Sequence, residues 1–122
     1  MLSRRVNGNS LEIIENSTRV ILDIIEETTE NTLVFRIKGA LRNDLVYEFE
    51  DELSAAVSVG KNLELDFSEV NYIASSSLKT LLRIQQKLDS SEYGNEMKIS
   101  NVPEDIVRVF KEAGLSDLLN FV

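Results

Sequence analysis

The chain contains no cysteine and no histidine among its 122 residues. Without cysteine it forms no disulfide bond and no thiolate metal site, and it has no thiol nucleophile. Without histidine it lacks the commonest general base, the commonest metal ligand and the usual partner of a catalytic serine. We therefore predict that the protein is not an enzyme and that it binds neither a metal ion nor another cofactor.

Positive charge is also scarce. The 13 Lys and Arg residues are outnumbered by 21 Asp and Glu residues, which gives a formal net charge of −8 at pH 7. Phosphate backbones and anionic lipid headgroups bind clusters of basic side chains, which this composition does not supply. We expect a basic protein partner, no binding to nucleic acid and no insertion into a membrane. No segment has the apolar length of a signal peptide or a membrane span, which predicts a cytoplasmic protein.

What the chain does have is enough apolar material for one core. Apolar residues make up 43% of the sequence, and a chain of this length is typical of one domain. Residues 1–10 are polar and end in Asn-Gly-Asn-Ser, so we predict a flexible tail there. We predict a single domain for residues 11–122.

Hydrophobic patterns of two periods follow one another along this domain. Alternation predicts strands at residues 11–15, 20–26, 33–37, 63–67 and 97–100, with the acidic residues 26–31 as a hairpin connection. Helical spacing predicts helices from Asn43 or Asp44 to Gly60, from the serines 75–77 to Leu88, and from Pro103 to Gly114, with a loop at 90–95. This order predicts an α/β fold with a central, mostly parallel sheet, crossover helices and an N-terminal β-hairpin.

Three consecutive serines, Ser75, Ser76 and Ser77, separate a strand from the helix that follows it. In a parallel sheet this junction lies at the carboxyl edge, where α/β folds usually place their sites. It is also a helix N-terminus, where free backbone N–H groups favour negative charge.

Two interpretations of the serines remain open. Ser75 or Ser76 can act as a helix cap that accepts from amides of the first turn. Alternatively, one hydroxyl is a phosphorylation site, and its added charge disturbs a partner bound at the same place. A nucleophilic serine would need a base, and the sequence gives no sign that Lys79 has the closed site and depressed pKa which that role requires.

Four segments carry a combined signature in their order and spacing. They are LVFRIKGAL (33–41), LELDFSEVNYIASSSLKTLL (63–82), MKISNVPEDIVRVFKEAGL (97–115) and SDLLNF (116–121). Together they resemble the STAS domain, the fold of anti-sigma factor antagonists and of the cytoplasmic tails of sulfate transporters. The resemblance extends from Val20 to Val122 and implies the STAS fold for the predicted domain.

The resemblance also implies a function. Antagonists of this family are phosphorylated on a serine in an Asp-Ser-Ser-Gly-Leu type turn, and that serine aligns with Ser76. Unmodified, they bind a kinase-type anti-sigma factor and so control transcription, and phosphorylation releases them. Ser75 and Ser77 are further candidates for the modification. The implied partner surface adds Lys79, Arg42 and Asn43, on a protein expected to be a monomer or a weak homodimer.

The sequence departs from the family pattern at four places. Ala74 stands where Asp is usual, Ser77 where Gly is usual, and Lys79 where a second small residue or Arg is found. Arg42 stands where an acidic residue often follows Gly-x-Leu. Two alternatives therefore stay open. One is a constitutive interaction module of a stress-signalling scaffold or an ABC-transporter complex. The other is a module that binds a small ligand, such as a nucleotide or a lipid.

Overall fold

A computed structural model describes residues 1–91 and 94–122. Within these residues one six-stranded sheet has its strands in sequence order. The strands are β1 (Leu2–Asn7), β2 (Ser10–Glu15), β3 (Arg19–Thr28), β4 (Thr32–Leu41), β5 (Asn62–Ile73) and β6 (Met97–Ser100). The helices are α1 (Val46–Val57), preceded by a 3-10 turn at Asn43–Leu45, α2 (Ser75–Asp89) and α3 (Glu104–Glu112). The predicted α/β class is confirmed, while residues 92 and 93 of the predicted loop lie outside the described residues.

The sheet is mixed rather than mostly parallel. Strands β1 to β4 pair antiparallel, whereas β4 with β5 and β5 with β6 pair parallel. The connections explain this division, because short turns can join only antiparallel neighbours, whereas parallel neighbours need a crossover. Helices α1 and α2 supply the two crossovers. The prediction of a mostly parallel sheet is wrong because it gave too little weight to the N-terminal strands.

The first strand occupies part of the segment that the sequence predicted as a flexible tail. Leu2 to Asn7 pair with β2 in a regular antiparallel register. Gly8, with a φ of 61°, lies in the turn that joins the two strands. The Asn-Gly signal was therefore the turn of a hairpin rather than the end of a tail. The predicted tail is contradicted for residues 2–7.

The core lies between one face of the sheet and the helices. Alternate residues of β4 and β5 face it, and they pack with the apolar stripes of α1, α2 and α3. All of the following are at most 8% exposed: Leu33, Phe35, Ile37, Leu63, Leu65, Phe67, Phe49, Leu53, Leu81, Ile106 and Phe110. The charged residues that alternate with them along the strands lie on the other side of the sheet, called the open face below.

The length of β5 positions the next helix. The sequence predicted that this strand ends near Phe67, but pairing with β4 continues to Ile73, which lies opposite Leu41. The chain therefore enters α2 directly from the sheet, through Ala74. No helix in the described part of the chain has the length and apolar character needed to cross a membrane.

Candidate functional site

The serine turn, residues 74–77, joins β5 to α2 at the carboxyl edge of the parallel strands. Ala74 has extended backbone geometry, with φ −82° and ψ 157°. Its amide donates to the carbonyl oxygen of Leu41 at 2.9 Å, so the turn is tied to the end of β4. The segment after β4, which contains Arg42 and Asn43, consequently lies beside the serines, as the parallel pairing of β4 and β5 requires.

The three serines have different surroundings. Ser75 is exposed. Ser76 is half-buried, and its Oγ is shielded from solvent and has no hydrogen-bond partner among the described residues. Ser77 is only 1% exposed, and its Oγ donates to the Leu41 carbonyl oxygen at 3.1 Å. The three hydroxyls therefore differ: that of Ser75 is exposed, that of Ser76 is shielded, and that of Ser77 is hydrogen-bonded.

None of these hydroxyls caps the helix. Ala74 occupies the N-cap position of α2, and no side chain in the described part of the chain makes a capping hydrogen bond there. The reason is the length of β5, which places the helix start one residue earlier than a serine cap would need. All three serines then have helical backbone in the first turn, from which a side chain does not reach the orphan amides. The interpretation of Ser75 or Ser76 as the cap is therefore wrong.

Arg42 is held by two carboxylates. Its Nε donates to Oδ1 of Asp44 at 3.0 Å and its Nη2 to Oδ2 at 2.6 Å. The same Nη2 donates to Oε2 of Glu15, at the end of β2, at 3.1 Å. These contacts raise the pKa of Arg42, and the guanidinium lowers the pKa of the Asp44 carboxyl. The positive charge next to the serine turn is thus already compensated, whereas Lys79 and Asn43 are exposed.

Replacing Arg42 by glutamine is expected to raise the pKa of Asp44 toward the ordinary value of about 3.9. Because the pKa of Asp44 is lowered in the fold, its ion pair stabilises the protein above the unfolded-state pKa. This contribution disappears as the pH falls through the lowered folded-state pKa. An NMR pH titration of the Asp44 carboxyl carbon measures the change. Arg108→Gln, at an exposed position on α3, should leave the titration unaltered, and an unaltered titration in Arg42→Gln itself would contradict the pairing.

Two exposed tyrosines were missed by the analysis of the sequence. Tyr72, near the end of β5, is 53% exposed, and Tyr47, in the first turn of α1, is 83% exposed. Tyr72 belongs to the last residues of β5, and Tyr47 follows the 3-10 turn after β4. These two segments meet at the carboxyl edge. Exposed aromatic residues are enriched in protein interfaces. The sequence did carry a signal for them. Each tyrosine falls outside the apolar pattern of its own helix or strand, so the pattern predicts a large aromatic side chain that is exposed to solvent.

The chemistry available at this edge is that of binding. It offers hydroxyls, an amide side chain, an exposed lysine and two aromatic rings. Across residues 1–91 and 94–122 no group of acidic side chains is arranged to hold a metal ion. A phosphate on a first-turn serine would lie next to backbone amides that have no acceptor within the helix.

Comparison with protein families gives one match that covers most of the chain. Residues 24–120 match a family model described as "Mlab, STAS domain". No curated protein matches the sequence.

Several solved structures are similar to the chain in fold. An anti-sigma factor antagonist from Mycobacterium paratuberculosis has 19% sequence identity and a TM-score of 0.73, over 82% of this chain and 84% of that chain. The anti-sigma factor antagonist SpoIIAA in its unphosphorylated form has 20% identity and a TM-score of 0.68, over 81% and 87%. SpoIIAA from Bacillus in its phosphorylated form has 20% identity and a TM-score of 0.62, over 81% and 90%. At this level of identity the likeness establishes a shared fold.

Proposed function

Since the chain belongs to the STAS domain family, we propose that it is an anti-sigma factor antagonist whose binding is controlled by serine phosphorylation. In this proposal the unmodified protein binds a kinase-type anti-sigma factor in the cytoplasm and thereby regulates transcription. The observation that carries the proposal is the serine turn itself, which presents three hydroxyl side chains at the start of α2. The chain is also similar in fold to SpoIIAA, whose structure is solved in the unphosphorylated and the phosphorylated form, and this supports the same proposal.

Ser76 is the proposed acceptor, on the strength of its position in the turn. Its Oγ makes no hydrogen bond within the described residues, so phosphorylation breaks none. Because this oxygen is shielded from solvent, modification requires the side chain to adopt another rotamer. Ser75 is exposed and is the second candidate, whereas Ser77 is buried and already donates to Leu41.

The effect of the phosphate falls on the partner rather than on the fold. A phosphoserine adds about −1.5 to −2 charges, and the start of a helix tolerates negative charge. A partner that packs over Tyr72, Lys79 and Asn43 would have to bury this charge, which is unfavourable unless it supplies matching cations. In this proposal, phosphorylation at the start of α2 leaves the free protein folded and releases the partner that packs over the same place.

Affinity capture from a lysate of the source cells, with mass spectrometry, tests this switch. Ser76→Asp is expected to weaken recovery of an ATP-binding anti-sigma kinase by about tenfold or more, and Ser76→Ala to leave it within about twofold. Ser116→Asp, at another exposed serine, is the matched control and should behave as wild type. Equal recovery of the kinase by all variants would refute the switch.

A second candidate is a constitutive interaction module of a larger complex, such as an ABC transporter. The shielded Ser76 Oγ and the compensated charge of Arg42 favour it, since neither feature suits a phosphate. In the same capture experiment, transporter subunits recovered equally by Ser76→Ala and Ser76→Asp would establish this candidate in place of the first.

A further inference from the structure

A row of charged side chains crosses the open face on five neighbouring strands. The strand registers set Arg5 beside Glu12, Glu12 beside Asp23, Asp23 beside Lys38, and Lys38 beside Glu69. Arg5 pairs with Glu12 at 3.0 Å, and Lys38 with Glu69 at 4.0 Å. Both cations of the row are therefore engaged by its outer carboxylates. The central carboxylate, Asp23, forms no ion pair with any residue that the structure describes.

Asp23 also has an unsatisfied oxygen. Its Oδ1 is shielded from solvent and accepts no hydrogen bond from any residue that the structure describes. Burial raises the pKa of the Asp23 carboxyl, as do the charges of Glu12 and Glu69, while Lys38 and Arg36 lower it. A buried acceptor without a donor is unfavourable. The Asp23 carboxylate therefore lacks a hydrogen-bond donor for Oδ1 and a cation to pair with among the described residues.

A cavity of about 480 Å³ lies over this position. Such a volume is in the range of sites that bind small ligands or single large side chains. One wall is acidic, and another is apolar because Val20, 44% exposed, and Ile21 form it. The complete lining is Glu12, Val20, Ile21, Asp23, Lys38, Gly39, Glu69 and Asn71. A ligand with a cationic head and an aliphatic stem matches both walls.

We propose that this cavity receives an arginine side chain of a partner protein, carried on a segment with apolar neighbours. The guanidinium donates to Oδ1 of Asp23, and its methylene stem lies along Val20 and Ile21. Arginine suits the position better than lysine, because its weakly hydrated planar head tolerates partial burial beside a carboxylate. The row holds three carboxylates and two cations, and the whole chain carries −8, so charge complementarity selects a basic partner. This surface is separate from the serine turn and does not depend on the proposed phosphorylation.

The test uses the full chain, labelled with ¹⁵N, and the peptide acetyl-Val-Arg-Val-amide as the probe. Titration with the peptide, followed by NMR, should shift the amide resonances of residues around Asp23 on β2 to β5. The same peptide with citrulline, which is neutral and nearly isosteric, should bind about five-fold more weakly or worse. The Asp23→Asn substitution should weaken binding of the arginine peptide by a similar factor. Glu27→Gln, an exposed carboxyl on β3, is the matched control and should stay within about twofold of wild type.

A second variant moves the affinity in the opposite direction. The Lys38→Met substitution removes a competing cation from the cavity wall, and the affinity for the arginine peptide should rise by about twofold or more. Asp23→Asn replaces a destabilised charge, so its melting temperature at neutral pH should equal or exceed that of wild type. Its loss of binding is then not a loss of fold. Equal binding of the citrulline peptide, unchanged binding by Asp23→Asn, or spermidine bound as tightly as the peptide would each overturn the proposal.

Discussion

Alanine in place of Gly39 is expected to destabilise the fold by about 3 kcal/mol. Gly39 lies inside β4 with a φ of +118°, a backbone conformation that L side chains rarely adopt. A Cβ atom there would lie 2.4 Å from the carbonyl oxygen of Ile21 on the neighbouring strand. Because the contacted atom belongs to the backbone, relief requires β3 and β4 to separate, which weakens their hydrogen-bond ladder.

Equilibrium unfolding in urea measures this loss. Gly114→Ala is the matched control, since Gly114 also has a positive φ of 74°. Apart from its own chain neighbours, no residue that the structure describes comes within 4 Å of the added Cβ. Its cost should be about 1 kcal/mol, the penalty for a left-handed backbone alone. Equal destabilisation by the two variants would show that the close approach of Ile21 contributes nothing.

Aspartate in place of Ser77 is expected to cost about 3 kcal/mol or more. The variant loses the donor to the Leu41 carbonyl and puts a carboxylate next to that oxygen, at a position only 1% exposed. Aspartate in place of Ser75, which is exposed in the same turn, should change the stability by less than about 1 kcal/mol, with a favourable contribution from the helix dipole.

The comparison identifies which hydroxyl of the turn can carry negative charge in the folded protein. Thermal unfolding of Ser75→Asp, Ser76→Asp and Ser77→Asp under one buffer condition is sufficient. A Ser77→Asp variant as stable as Ser75→Asp would mean that the Leu41 contact is dispensable. Ser77 would then return as a candidate for modification.

The strands around the core could be predicted because their signal is local. Leu33, Phe35 and Ile37 alternate with Val34 and Arg36, and Leu63 and Leu65 alternate with acidic residues. This period of two predicts both the strand and its buried face. The first strand could not be found in this way. Leu2–Asn7 has little buried surface of its own and exists because β2 pairs with it. Pairing between segments is not encoded in the periodicity of either segment.

The place of the candidate site could be predicted, but the roles of its side chains could not. The order of strand and helix placed the serines at the start of a helix on the carboxyl edge. Which of them is buried depends on where α2 begins, and this is set by the continuation of β5 alongside β4 as far as Ile73. The isolation of Asp23 likewise depends on the registers that align five neighbouring strands, so no motif in the sequence indicates it.

The first strand has one more consequence, for the behaviour of the protein in concentrated solution. It forms an outer edge of the sheet, and such an edge can template a strand from another molecule. A second copy that paired antiparallel with Leu2–Asn7 would bring its own Arg4 and Arg5 opposite this pair, and like charges across strands repel. Removing β1 would expose β2, whose Leu11, Ile13 and Ile14 are all buried. We therefore expect the hairpin of β1 and β2 to reduce aggregation through this edge of the sheet.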